Sequence, residues 1–178
     1  MCLVLGATGV GKTLLVKRLE NSTDAIKKGP DFSFEDMPAT IATVGTNLVA
    51  VSVSRRQEIT MRELGGCMGP IWKNYFKEAV ALMYVIDLSN RLQVAASCIQ
   101  LLTVLTAKTL SPTVPVLIVF NKMDMPDKLT HGEIETLFRL SDIKSQCGRS
   151  FEQVEVSACT GQGLSQIVKW MEQNCFGK

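Results

Sequence analysis

The chain has 178 residues, 46% of them hydrophobic and 20% charged, which fits one folded domain with a single core and excludes a disordered tail protein. Nineteen Lys and Arg against 17 Asp and Glu leave a net charge of +2, too weak a field to mark a nucleic-acid partner. The basic pairs Lys17-Arg18, Lys27-Lys28 and Arg55-Arg56 are scattered and read as solvated faces.

Segments of strand and helix character alternate from end to end. A short apolar run, Cys2 to Leu5, leads into a glycine loop, and Thr13 to Glu20 has helical spacing. Asn21 to about Pro38 is polar and reads as a long loop, a length more often functional than idle. Asn47 to Ser54 and Gln57 to Glu63 read as strands, and their tight polar link predicts an antiparallel hairpin. Leu64 to Gly69 breaks the pattern, and Pro70 suits the first turn of a helix through Glu78. A buried strand follows at Val80 to Ile86, then a long helix from Arg91 to Leu110 ending before Pro112. Pro115 to Phe120 is another buried strand, Glu133 to Ser145 a helix, Phe151 to Val156 a strand and Leu164 to Asn174 the closing helix. Near-continuous Val/Ile/Leu strands separated by helices predict a mostly parallel, six-stranded α/β sheet with one antiparallel edge hairpin and helices on both faces. No linker or repeat divides residues 1–178, so a single domain is expected.

In such sheets the ligand crevice lies beyond the carboxyl ends of the strands. Three motifs directly follow predicted strands and so gather at that end. Gly6-Ala7-Thr8-Gly9-Val10-Gly11-Lys12-Thr13 fits GxxxxGK[ST] between a strand and a helix, the P-loop context. Its glycines let backbone N–H groups converge on phosphate oxygens, helped by the dipole of the helix continuing through Leu14. Lys12 is then expected to reach the β- and γ-phosphates and the Thr13 hydroxyl to ligate Mg²⁺. Asn121-Lys122-Met123-Asp124 selects the base. The Asp124 carboxylate accepts from both N1–H and the 2-amino group, a donor pair that adenine lacks. Asn121 braces the loop and the Lys122 stem packs along the base. Ser157-Ala158-Cys159 supports it, with the Ala158 N–H directed at guanine O6.

These motifs, with TIATVGTN at Thr40 to Asn47 and ELGG at Glu63 to Gly66 followed by PIWKNYF, make the chain resemble a Ras-superfamily small GTPase of the ADP-ribosylation factor branch. The resemblance spans essentially the whole chain. It implies a small G domain that binds GTP and GDP with Mg²⁺ and recruits effector and regulatory proteins through Thr40–Asn47 and Glu63–Phe76, often in membrane or ciliary traffic. By position, Thr43 is expected on Mg²⁺ and the γ-phosphate, Gly66 on the γ-phosphate, and Glu63 on Mg²⁺ through a water. Asp87 is expected to be structural.

Three departures from the family pattern carry expectations of their own. Cys67 stands where the family has the Gln that orients water, and a thiol cannot donate and accept as an amide does, so intrinsic GTP hydrolysis is expected to be very slow and no catalytic residue is assigned. Glu63 replaces Asp and Arg62 replaces Trp, and the stretch from Cys67 to Pro70 is about two residues short. Residue 2 is Cys rather than the Gly that myristoylation needs, no amphipathic helix precedes the first strand, and the ending Cys175-Phe176-Gly177-Lys178 is a poor prenylation box, so none of the anchoring signals is secure. Six cysteines without ligand spacing read as reduced thiols of a cytoplasmic protein, and a monomer is expected.

Two other readings stay open at this level: a non-switching scaffold whose GTP is structural, supported by Cys67, and a small P-loop kinase, opposed by Asp124. His131 reads as solvated, Met123, Met125 and Met171 as packing, Trp170 as core, and Trp72 and Tyr75 as either core or an exposed effector patch.

Overall fold

The computed structural model describes residues 1–26, 34, 38–54 and 56–176, with side chains 22–25 left aside. The Lys27-Lys28 pair and Arg55 lie outside the described residues. Six strands form one sheet in the order β2-β3-β1-β4-β5-β6. They are β1 (Cys2–Leu5), β2 (Thr46–Ser54), β3 (Gln57–Leu64), β4 (Ala81–Asp87), β5 (Val116–Asn121) and β6 (Phe151–Glu155). Among the described residues only β2 and β3 pair antiparallel, as the edge hairpin; β3-β1-β4-β5-β6 run parallel. The expected small-GTPase sheet is therefore the one observed.

Side chains alternate across the strands because successive Cβ atoms point to opposite faces. Val4, Met83, Val85, Leu117 and Val119 pack with α1 (Lys12–Ile26) and α5 (Leu164–Asn174). Leu3, Leu5, Tyr84, Ile118 and Phe120 pack on the other face, with α2 (Arg91–Leu105), α3 (His131–Phe138), α4 (Leu140–Gln146) and the 3₁₀ turns of Gly66–Glu78. Trp170 and Met171 are core, as is Trp72, whose indole stands edge-on to Tyr84 and donates to the Gly65 carbonyl at 3.1 Å. Tyr75 is half-buried under the Arg62 guanidinium. Among the described residues, no helix is long and apolar enough to cross a membrane.

Several boundaries differ from expectation. The first helix runs to Ile26 rather than Glu20. Helical turns begin at Gly66, four residues before Pro70, which lies inside them. The second helix stops at Leu105, where Thr106 caps it, not at Leu110. The expected helix from Glu133 to Ser145 is two helices, broken at Arg139 in the left-handed region (φ 48°). Its true start is set by a capping box: Thr130 Oγ1 accepts from the Glu133 N–H, and the Glu133 carboxylate accepts from the Thr130 N–H. Met125 is exposed rather than packed.

Glu133 also accepts from Arg91 of α2 at 2.7 Å. That guanidinium, with the Thr130 donors, lowers the Glu133 pKa to about 2. Because the folded pKa is depressed, the stabilisation is present above the unfolded pKa and is lost as pH falls toward 2. Glu133→Gln is expected to lower the urea midpoint measurably at pH 6 and by much less at pH 3; an equal loss at both pH values would contradict this.

Candidate functional site

The glycine loop, the Asn121 segment and the Ser157 segment meet at the carboxyl end of the sheet. Gly11 has φ +92°, and a Cβ there would lie 2.4 Å from Asn121 Nδ2, so both backbone shape and space demand glycine. Asn121 braces the loop as expected: it is buried, its Nδ2 donates to the Val10 carbonyl at 2.9 Å, and its Oδ1 accepts from the Ala158 N–H at 3.0 Å. The Ala158 N–H, expected at a base, donates in this structure to the Asn121 side chain. An O6 contact would have to share or replace this bond.

Lys12, at the start of α1, is buried and donates to the Gly6 and Ala7 carbonyls at 2.8 Å each. Burial pushes its pKa down to about 8, against the opposing pull of Glu63, because desolvation disfavours the charged form. Thr8 and Gly9 at the loop tip are exposed, Val10 is buried, and Leu14 turns into the core, leaving only its backbone for a ligand.

Beside the loop, Thr13 Oγ1 lies 3.0 Å from Thr43 Oγ1, and Glu63 accepts from both, at 2.5 Å and 3.0 Å. Asn47 Nδ2 holds the other Glu63 oxygen at 3.0 Å, a role that its place at the edge of a motif did not signal. These oxygens and Lys12 border a cleft of about 170 Å³ that also touches Thr8, Gly9, Gly11, Thr40, Ile41 and Gly66. Two neutral hydroxyls and one carboxylate suit a hard cation such as Mg²⁺.

On the base side, the Ser157 hydroxyl donates to Asp124 Oδ1 at 2.5 Å, leaving the rest of an exposed carboxylate facing outward. Lys122 takes a left-handed conformation (φ 68°) and its ammonium lies 2.6 Å from buried Asp87. Asp87 also accepts from the Ser89 N–H and hydroxyl, so it is structural. Cys159 is half-buried, and Cys67 is exposed. His131 is exposed at 3.5 Å from Glu155.

One basic residue departs from its expected role. Arg18 is not on a solvated face: it is buried, its Nε donates to the Ala158 carbonyl at 3.3 Å and its Nη2 to the Cys159 carbonyl at 3.4 Å, and its guanidinium lies 3.5 Å from the centre of the Phe34 ring. Its place within a basic pair concealed that it belongs to the buried stripe of α1.

A mostly parallel sheet with a P-loop after β1 and a polar, oxygen-lined cleft at its carboxyl end defines a nucleotide-binding protein of the small-GTPase class. The family model for the ADP-ribosylation factor family matches residues 1–175, and the chain belongs to that family. It is 45% identical over 172 residues to human ADP-ribosylation factor-like protein 16, covering 97% of this chain and 84% of that protein. It is 31% identical over 172 residues to human ADP-ribosylation factor-related protein 1, covering 95% and 81%. In fold it resembles the Arl6 BBS3 small GTPase of Trypanosoma brucei, solved with a bound nucleotide analogue, GppNp, with a TM-score of 0.77 at 20% identity over 97% of this chain and 94% of that one. Family membership makes the chain a binder of GTP and GDP and leaves the kinase reading without support.

Proposed function

We propose that this chain is a guanine-nucleotide switch whose output is the binding of effector proteins rather than turnover. The observation that carries the reading is the meeting of Thr13 from the P-loop helix, Thr43 from the 40–47 segment and Glu63 from β3 on one set of oxygens. Three chain segments that are distant in sequence thereby share one site beside Lys12.

In this reading the backbone of residues 6–14 cradles the phosphates and Lys12 meets the β- and γ-oxygens. Thr13 and Thr43 would hold Mg²⁺, with Glu63 reaching it through a water, and the ion would supply charge neutralisation at the phosphates. Thr43 and Gly66 sense the third phosphate. Asn121, Lys122, Asp124, Ser157, Ala158 and Cys159 hold the base. Contacts made only to the γ-phosphate order both loops in one state and release them in the other. Residues 40–47 and 63–76 then present the surface that effectors and regulators read, in intracellular or ciliary traffic, with the chain a cytoplasmic monomer. Cys67 offers no amide to orient water, so the GTP state persists.

Hydrogen exchange of the GDP-loaded and GppNHp-loaded protein tests the switch. Slower exchange in residues 40–47 and 63–76 is expected with the triphosphate analogue. Identical exchange in the two states would favour the scaffold reading. In the same preparation, GTP is expected to turn over more slowly than in relatives that carry Gln at the Cys67 position.

A further inference from the structure

Among the described residues, Arg18 is not one of those lining the cleft, and the proposed phosphate binding gives its buried fork no task. Its contacts run to the loop after β6. It reaches two consecutive carbonyls, those of Ala158 and Cys159, and it is held from the other side by the Phe34 ring.

Peptide planes make this grip directional. In a trans peptide the C=O and the next N–H point in opposite directions, so a plane whose carbonyl is held toward α1 presents its N–H away from α1. For the plane joining Cys159 and Thr160 the structure shows where that N–H goes: the Thr160 N–H donates to Ser157 Oγ at 3.0 Å. With its lone pair so engaged, the Ser157 hydroxyl turns its own proton to Asp124 Oδ1 at 2.5 Å. The chain of contacts is Arg18 to the Cys159 carbonyl, through the peptide to Ser157 Oγ, and on to the Asp124 carboxylate. Phe34 adds a second tie, its N–H donating to the Thr160 carbonyl at 3.2 Å. From the opposite side Asn121 holds the Ala158 N–H, so the loop is gripped on both edges.

We infer that Arg18 is a positioning residue for base selection, setting the Asp124 carboxylate through the 159–160 peptide and the Ser157 hydroxyl. The inference rests on the reading of Asp124 as the group that accepts from guanine. A planar fork suits the task because it meets two carbonyls at once and keeps its charge at any pH the protein meets. A lysine meets them one at a time.

A double-mutant cycle separates positioning from simple support of the fold. Dissociation constants for GDP are measured on the full chain for the parent, Arg18→Met, Asp124→Asn and the double variant. Methionine keeps the apolar stem and removes the fork; Arg18→Lys, which keeps the charge, runs in parallel and carries the comparison should the methionine variant not fold. In the parent background, loss of the fork is expected to weaken GDP about tenfold, the scale of a lost charge-assisted hydrogen bond. In the Asp124→Asn background the same change is expected to cost less than about threefold, because the carboxylate it positions is gone. Arg18→Lys should fall between parent and methionine. An equal loss in both backgrounds, or no loss in either, overturns the inference. Should Asp124→Asn leave the preference for GDP over xanthosine diphosphate intact, the reading of Asp124 fails, and this inference with it, whatever the Arg18 variants show.

Discussion

Asp124→Asn is expected to weaken GDP and GTP by about 100-fold or more and to raise the affinity for xanthine nucleotides. The carboxylate offers only acceptors, and guanine presents two donors on the edge it would meet. An asparagine in the same place sets one NH₂ donor against a guanine donor, and desolvated groups without partners make such a mismatch steep. Xanthine carries a carbonyl where guanine carries its amino group, so the same NH₂ then finds an acceptor. The structure supports this geometry by pinning one Asp124 oxygen to the Ser157 hydroxyl and leaving the carboxylate exposed. Competition of GDP and xanthosine diphosphate against a fluorescent guanine nucleotide measures the exchange of preference. An unchanged order would refute the assignment of the base.

Gly66→Ala is expected to separate the two guanine nucleotides. A Cβ at position 66 would lie 2.1 Å from the Thr8 nitrogen and 2.4 Å from the Ala7 carbonyl carbon. Both are backbone atoms of the P-loop and cannot swing aside as a flexible side chain would. The turn that opens the 3₁₀ segment must therefore withdraw from the loop, and the contact assigned to the third phosphate is lost with it. The expected result is GppNHp binding weaker by about 30-fold, the worth of roughly 2 kcal/mol, with GDP changed by less than about threefold. Dissociation rates for the two nucleotides in parent and variant provide the check. A parallel loss for both would show that Gly66 serves the loop's shape and not the γ-phosphate.

Much of this site is legible in the chain because the motifs are local. GATGVGKT and NKMD each follow a buried apolar strand, the Ser157-Ala158-Cys159 triplet follows the half-exposed edge strand β6, and parallel pairing brings all three ends together. The strands were readable for the same reason: runs such as PVLIVF are buried on both faces and have few other ways to fold. What escaped sequence reading depended on contacts across the fold. Arg18 looks like half of a solvated basic pair until the loop after β6 is placed against α1. The break at Arg139 follows no Gly or Pro; it is held by the Glu135 carboxylate, which accepts from the Ser141 N–H and hydroxyl across the turn. The start of α3 is legible in principle, because Thr130 and Glu133 have capping-box spacing, although the apolar pattern begins only at Ile134. The Asn47 contact to Glu63 depends on hairpin register, which pairs these two residues directly across the strands and which strand composition alone does not specify.

The account is tested most directly by the nucleotide that the purified protein carries. After gentle purification in magnesium buffer, denaturation and ion-exchange chromatography of the supernatant, a guanine nucleotide is expected near one per chain, with GTP added to the emptied protein still intact after hours. An adenine nucleotide in the site, or equal displacement of the bound ligand by ATP and GTP, would contradict the central claim.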